Sequence, residues 1–169
     1  MTIKKRVVFK KGKYVVTRKG SVVLRLSKEI YNLLKPLSKR IAIAGSIRRK
    51  EKNPVDIDIV LIPKDRQKIV DCLKNKGKYI QGGDKRITFR IRGIKTEIYY
   101  ATPENWGAML MTYTGPFGLN ISFRTMAKRK GYLLNQYGLF SRGGKFMAGK
   151  TEKSIYEALG KKYKSPGLR

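Results

Sequence analysis

The chain has 169 residues, 40 Lys and Arg against 11 Asp and Glu, one cysteine and no histidine, for a net charge of +29. This excludes an intrachain disulfide, a Cys/His zinc cluster and histidine-based catalysis, so any metal site must use oxygen ligands, which favours magnesium or manganese. Solubility asks for a net charge of only about 2–8 in a small domain, so the excess points to a polyanionic partner, nucleic acid first and an acidic membrane surface second.

Residues 1–26 read as short basic strands around glycine turns: Val7 and Phe9, a Lys-Gly-Lys turn at 11–13, Tyr14 to Thr17, a Lys-Gly-Ser turn at 19–21, and Val22 to Leu26. Ser27 is positioned to cap a helix through Ile30, Tyr31, Leu33 and Leu34, ending near Pro36. Ile41 to Ala44 is too short for a helix and reads as a buried strand leading into Gly45-Ser46. Residues 55–62 alternate and then turn apolar, a second central strand stopped by Pro63. A helix over about 65–75, strands at Ile87 to Arg92 and Thr96 to Tyr100, and a helix starting at Thr102-Pro103-Glu104 follow. Thr114-Gly115-Pro116 breaks that helix. Phe117 to Lys130 is helical, Leu133 to Phe140 a strand, Arg142 to Gly144 a turn, and Thr151 to Leu159 a last helix closed by Gly160.

Hydrophobic residues make up 41%, enough for a packed core. The fold class is α+β: a mixed sheet with flanking helices over residues 27–104, a smaller α+β subdomain over 105–169, and the β-rich segment 1–26 ahead of both. No apolar run approaches the roughly 20 residues of a membrane span, and none follows the basic start of the chain, so a soluble intracellular protein is expected. Residues 1–55 carry a net +15, residues 105–169 a net +10 and residues 56–104 only +4. Seven of the eleven acids lie in that middle segment.

Asp56 and Asp58 lie there, two apart on the second central strand, so alternation puts both carboxylates on one face. Alone, such a pair suits a Lys or Arg partner as well as a metal ion. Upstream, Gly45-Ser46-Ile47-Arg48-Arg49 follows a buried strand. Glycine admits close backbone approach to a phosphate, Ser46 offers a hydroxyl, and the arginines can clamp phosphate oxygens, although alone they suit a solvated basic turn as well. A third carboxylate would complete a two-metal site. Asp84 and Glu97 are the candidates, and Glu97 is preferred because a charge inside an apolar strand needs a reason; pairing with Lys95 on the solvent face is the plain alternative. Tyr113 stands at the Thr114-Gly115-Pro116 helix break, where it could pack against a ribose or equally be a core aromatic. Asn120 and Arg124 are four apart on a helix, hence on one face, where they can reach minor-groove acceptors or form an ordinary polar face.

In order, these segments resemble the catalytic core of family X DNA polymerases, the DNA polymerase β group. Gly45-Ser-Ile-Arg-Arg49 is similar to the family's Gly-Ser-x-Arg-Arg signature, and Val55-Asp-Ile-Asp-Ile59 to its metal-binding strand. Thr102-Pro-Glu-Asn-Trp-Gly107, Thr112-Tyr-Thr-Gly115, Leu134-Asn-Gln-Tyr-Gly-Leu-Phe140 and Ile155-Tyr-Glu-Ala-Leu-Gly160 resemble further family stretches. The resemblance runs from about residue 27 to 169 and implies a nucleotidyltransferase palm followed by a C-terminal thumb or fingers subdomain. It implies two Mg²⁺ ions (Mn²⁺ may substitute) on Asp56, Asp58 and Glu97, and catalysis by these three. It implies nucleotide contacts from Gly45, Ser46, Arg48, Arg49, Tyr113, Gly115 and Asn120, and DNA contacts from Arg124 and Lys128.

The resemblance departs at Glu97, where the family usually has Asp, and at Tyr99, where Arg is frequent. It departs also at Val55 for glycine, at Thr112 for an aromatic, which weakens ribose exclusion, and at Phe117 for an acid. No lyase domain is expected in so short a chain, which resembles the reduced polymerases of some large DNA viruses. The expected function is DNA-directed DNA polymerase: dNTPs added to a primer 3′-OH on gapped or nicked DNA, in repair, by a monomer. A template-independent or RNA-directed nucleotidyltransferase is the alternative, and a palm that only binds DNA is the third reading.

Overall fold

A computed structural model describes residues 20–169 in full and the backbone of residues 5–10 and 13–18. Strands β1 (Lys5–Lys10) and β2 (Lys13–Arg18) pair antiparallel, as the β-rich reading of this segment expects. The turn expected at 11–13 lies partly outside the described residues, as does Lys19 of the turn expected at 19–21. The strand expected at Val22 to Leu26 is instead helical: α1 spans Gly20–Leu34. Val23, Leu26, Ser27, Ile30 and Leu34 are its buried face, a helical spacing that outlasts the short alternation of Val22 to Leu26. Ser27 lies inside the helix and donates to Leu24 O at 2.8 Å instead of capping it.

The main sheet has the order β3-β4-β7-β6-β5. Its strands are β3 (Ser38–Ile43), β4 (Ile57–Pro63), β5 (Lys78–Gly82), β6 (Arg86–Ile91) and β7 (Ile94–Tyr100). Only β4 and β7 run parallel; the other neighbours are antiparallel. Between β3 and β4 lies the single helical turn α2 (Gly45–Arg48). Helix α3 (Arg66–Lys74) is capped by Asp65, whose Oδ1 accepts from Gln67 N at 2.8 Å. One sheet face packs on α1 and α3 through Ile57, Ile59, Leu61, Phe89 and Ile98. The opposite face, with Ala44, Val60, Tyr99 and Ala101, packs on Trp106, Met109 and Leu110 of α4 (Trp106–Thr114).

Helix α4 is buried nearly all round because its other side, Ala108 and Met111, joins a second core. That core collects Phe123 and Ala127 of α5 (Phe117–Arg129), Leu134 of β8 (Leu133–Asn135) and Leu139 of β9 (Gly138–Phe140). It also takes Ala148 of β10 (Phe146–Ala148) and Ile155 and Tyr156 of α6 (Glu152–Ala158). Gly107 is required where α4 crosses the start of α6: a Cβ there would lie 2.1 Å from the Thr151 carbonyl carbon.

Three further expectations shift. The strand expected at Leu133 to Phe140 folds into the hairpin β8–β9, its turn held by Asn135 Oδ1 accepting from Tyr137 N at 2.8 Å. The helix expected from Thr102 begins at Trp106, because Asn105 Oδ1 accepts from Thr102 N at 2.8 Å and closes a turn first. The strand expected from Val55 begins at Ile57, leaving Asp56 just ahead of it. No helix of the described residues is long and apolar enough to cross a membrane.

Candidate active site

Because Ile57, Ile59 and Leu61 enter the core under α1 and α3, alternation turns Asp58 and Val60 to the α4 side of the sheet. The parallel register of β4 with β7 pairs Asp58 with Glu97 and Val60 with Tyr99. Two carboxylates from strands distant in sequence therefore stand side by side on one face, with Asp56 just ahead of the first. The Tyr99 hydroxyl donates to Asp58 Oδ1 at 3.3 Å, and its ring stacks on Tyr113, centroids 3.5 Å apart at 17°.

The β3–α2 turn is built around Asp58. Ala44 N donates to Asp58 O at 2.7 Å, and Gly45 has φ +59°, the left-handed region that glycine adopts without strain. A Cβ on Gly45 would lie 2.1 Å from Asp58 Oδ2. Gly45→Ala is therefore expected to displace that carboxylate, destabilise the protein by about 1–3 kcal/mol and raise the Mg²⁺ needed for half-maximal activity. Urea unfolding and a magnesium titration check both effects; a variant with unchanged magnesium dependence would show that Gly45 does not set the position of Asp58.

Ser46, next in the turn, has a buried Oγ with no hydrogen-bond partner among the described residues. Arg49 donates to Thr114 O and to Glu51 Oε1, the latter from Nε at 3.1 Å. Arg48 turns the other way: Nη1 donates to Thr114 Oγ1 at 2.8 Å, and Nη1 and Nη2 grip Glu152 at 2.9 and 2.7 Å. Both arginines thus tie the turn to Thr114, the last residue of α4. Between these walls lies a cleft of about 560 Å³. Gly45, Ser46, Arg49, Asp56, Asp58, Tyr113, Gly115 and Asn120 line it, with Glu51, Thr112 and Phe117. Asn120 is held by Nδ2 donating to Thr112 O at 2.7 Å.

Of the residues expected from sequence, Arg48, Glu97, Arg124 and Lys128 do not line the cleft. Arg48 is spent on Glu152 and Thr114. Glu97 is buried beside Asp58 and paired with Lys95 at 2.5 Å and Arg86 at 3.4 Å. Arg124 and Lys128 are exposed on α5. Asp84, the other candidate third carboxylate, is 99% exposed beside Arg66, far less enclosed than Glu97.

The region described as DNA polymerase beta thumb matches residues 109–169. The chain is 32% identical over 171 residues to the Repair DNA polymerase X of African swine fever virus (strain Badajoz 1971 Vero-adapted), covering 94% of this chain and 96% of that protein. The protein of the same name from isolate Tick/Malawi/Lil 20-1/1983 is 32% identical over 148 residues, 81% of this chain and 85% of its own length. The one from isolate Warthog/Namibia/Wart80/1980 is 31% identical over 152 residues, again 81% and 85%. The chain belongs to the family X DNA polymerases.

Family X polymerases use divalent metal ions, and the carboxylates of this one can be tested for that fit. Neither Asp56 nor Asp58 forms an ion pair with a described residue, although the chain is strongly basic. Burial, then Asp56 and Glu97, push the Asp58 carboxyl up to about 7, against the smaller downward pull of the Tyr99 hydroxyl and Lys95. A crowded, half-buried carboxylate without a cation is a donor set that a divalent ion relieves. Asp56 and Asp58 fit such an ion. Glu97 must first loosen its hold on Lys95 or Arg86, and among the described residues no three acidic or cysteine side chains form a ready-made cluster. Sequence reasoning missed Glu152 and Glu51 altogether. Glu152 carried one signal, an acid directly after Thr151, whose Oγ1 caps α6 by accepting from Ser154 N, but its partner is 104 residues away.

Proposed function

We propose that this family X polymerase is a DNA-directed DNA polymerase that adds dNTPs to a primer 3′-OH on gapped or nicked DNA in repair. The observation that carries this reading is the convergence, in one cleft, of the Asp56–Asp58 pair, the Ser46–Arg49 turn and the Tyr113–Gly115–Asn120 wall. The relatives named Repair DNA polymerase X support the repair assignment. Residues 27–104 act as the palm, residues 105–169 supply the sugar and base walls and the exposed Arg124 and Lys128 as a DNA face, and the basic segment 1–26 adds affinity for phosphates. One chain holds the whole cleft, so a monomer suffices.

Two divalent ions, Mg²⁺ or Mn²⁺, held by Asp56 and Asp58 would neutralise charge on the triphosphate and lower the pKa of the 3′-OH. Ser46 Oγ, without a partner among the described residues, donates to a phosphate oxygen, and Arg49 turns from Glu51 to the same group. Tyr113 and Gly115 pack the deoxyribose, and Asn120 Oδ1, unlike its committed Nδ2, accepts from a base edge. The 3′-oxygen then attacks the α-phosphorus in line, the bond to the β-phosphate bridging oxygen breaks, and pyrophosphate leaves. Glu97, in register beside Asp58, would join Asp56 and Asp58 as the third carboxylate once it lets go of Lys95 or Arg86. Arg48 acts through Thr114, fixing the distance between the walls.

The test is an extension panel: dNTPs and NTPs on gapped, recessed and single-stranded ends, with Mg²⁺ or Mn²⁺. Templated dNTP addition, strongest on gaps, is expected. Equal addition to single-stranded ends without regard to template would replace this reading with a tailing enzyme.

A further inference from the structure

The three-stranded sheet β8–β9–β10 has an outer face that the chemistry above leaves unused. Its register places Leu133 opposite Phe140 and Phe140 opposite Phe146, so one residue of each strand forms a row across it. Alternation sends Leu134 and Leu139 into the second core and turns this row outward. Leu133 is 60% exposed and Phe146 38%, with Phe140 half-buried between them. Single exposed apolar residues are ordinary on a protein surface, but a cross-strand row of three is a patch. Its rings are seated. Phe140 and Phe146 meet edge to face, centroids 5.7 Å apart at 74°. Phe146 lies against Gly138 and Gly149, where a Cβ would come within 2.7 and 3.0 Å of its Cε2.

The charge around the row selects its occupant. Residues 105–150 hold seven Lys and Arg and no Asp or Glu. The turn at 141–145 is closed by Ser141 N donating to Lys145 O and Gly144 N to Ser141 O, each at 2.9 Å. It carries Arg142 and Lys145, both exposed, directly beyond Phe140 and Phe146. Neither forms an ion pair with a described residue. A second copy of so basic a chain is repelled, whereas a polyanion is drawn in. The rings then discriminate among polyanions. A duplex hides the faces of its bases within the stack, and an unpaired strand presents them. Resting on the reading that residues 105–169 face DNA, we infer that the outer face of this sheet is a binding site for single-stranded DNA. Phe140 and Phe146 stack on unpaired bases, and Arg142 and Lys145 meet the phosphates beside them. Every base has a π-face, so the site is indifferent to sequence. Gapped DNA supplies such a strand in its uncopied template.

Fluorescence anisotropy with a labelled oligothymidylate and with a blunt duplex of equal length tests this. Phe146→Leu keeps an apolar side chain over the two glycines and removes the π-face. It is expected to bind oligothymidylate about tenfold more weakly and the duplex like the wild type, with Phe146→Tyr retaining both affinities. Lys145→Ala should lower the salt slope of oligothymidylate binding by about 0.7, the share of one phosphate on a single strand, and Phe146→Leu should leave that slope unchanged. On the wild type itself, an oligomer carrying iododeoxyuridine should photo-cross-link to Phe140 or Phe146, a readout that needs no variant to fold. Adducts confined to the catalytic cleft overturn the inference, as does wild-type affinity for oligothymidylate in Phe146→Leu or an equal loss for the duplex. A concentration-dependent dimer that Phe146→Leu dissolves also overturns it, the row then being an interface between copies. A wild type that binds neither DNA removes the DNA reading and this inference with it; binding of the duplex alone removes this inference only.

Discussion

Asp58→Asn is expected to abolish primer extension, by about a thousandfold or more, while making the metal-free protein more stable above neutral pH. The loss of activity follows from removing a charge worth several kcal/mol in the transition state, about 4 kcal/mol being three factors of ten. The gain in stability follows from the raised carboxyl. Asp58 has a folded-state pKa of about 7 against an ordinary value of 3.8, first through burial and then through Asp56 and Glu97. Between those values the folded protein holds a proton that the unfolded chain releases, so stability falls as pH rises from about 3.8 and the loss is complete above about 7. At about 1.4 kcal/mol per pH unit the ceiling is about 4 kcal/mol, lowered by solvent at the carboxyl's open edge. Magnesium reverses the slope, because only the ionised carboxylate binds the ion. The magnesium-induced rise in Tm should therefore be larger at pH 8 than at pH 6 in the wild type and small at both in Asp58→Asn. Thermal unfolding in chelator and in magnesium at the two pH values checks this. A variant no more stable than wild type in chelator at pH 8 would mean that Asp58 is not strained by its neighbours.

The parts of the site that were legible in sequence are those set by local pattern. Ile41 to Ala44, the glycine turn after it and the alternating strand carrying Asp58 are contiguous, and alternation alone assigns Asp58 to the face opposite Ile57 and Ile59. What sequence could not show is adjacency between distant strands. That Glu97 stands beside Asp58 depends on β7 docking parallel to β4, a consequence of the whole sheet's order. The same limit hid the role of Arg48: its identity suggested a phosphate ligand, but Glu152, on a helix near the C-terminus, takes its guanidinium instead. Local errors have local causes. Val22 to Leu26 mimics a strand for five residues before the helical period of α1 becomes visible. β5 was missed because it is an edge strand with every residue exposed and so carries no alternation.

Glu152→Ala is expected to cost about 3–5 kcal/mol of stability, about 10 °C in Tm, the loss that follows when one partner of a buried ion pair is removed. Glu152 is 7% exposed and receives Arg48 in a two-bond grip and Arg169 Nη1 at 2.9 Å. The Arg169 side chain is fully buried, its guanidinium beside the rings of Tyr156 and Tyr163. Without the carboxylate, two guanidinium groups, that of Arg169 fully buried, would be left together with no counter-charge from a described side chain. Burial alone would raise the Glu152 carboxyl, but hydrogen bonds and charge from Arg48 and Arg169 outweigh it and hold the group below its ordinary value of 4.5. Its stabilisation is therefore fully present above about 4.5 and is lost as pH falls through the lower folded-state value, opposite in slope to Asp58. The gap in stability between wild type and Glu152→Ala should accordingly narrow below about pH 4.5. Function should follow stability by a distinct route. Arg48 freed from Glu152 no longer holds Thr114, so the wall carrying Tyr113 and Gly115 loosens and KM for dNTP rises more than kcat falls. Glu152→Gln, which keeps hydrogen-bond acceptance at one oxygen, should retain more of the KM than Glu152→Ala. If both variants unfold within about 1 kcal/mol of wild type, the network is a surface contact and not the tie between the two walls.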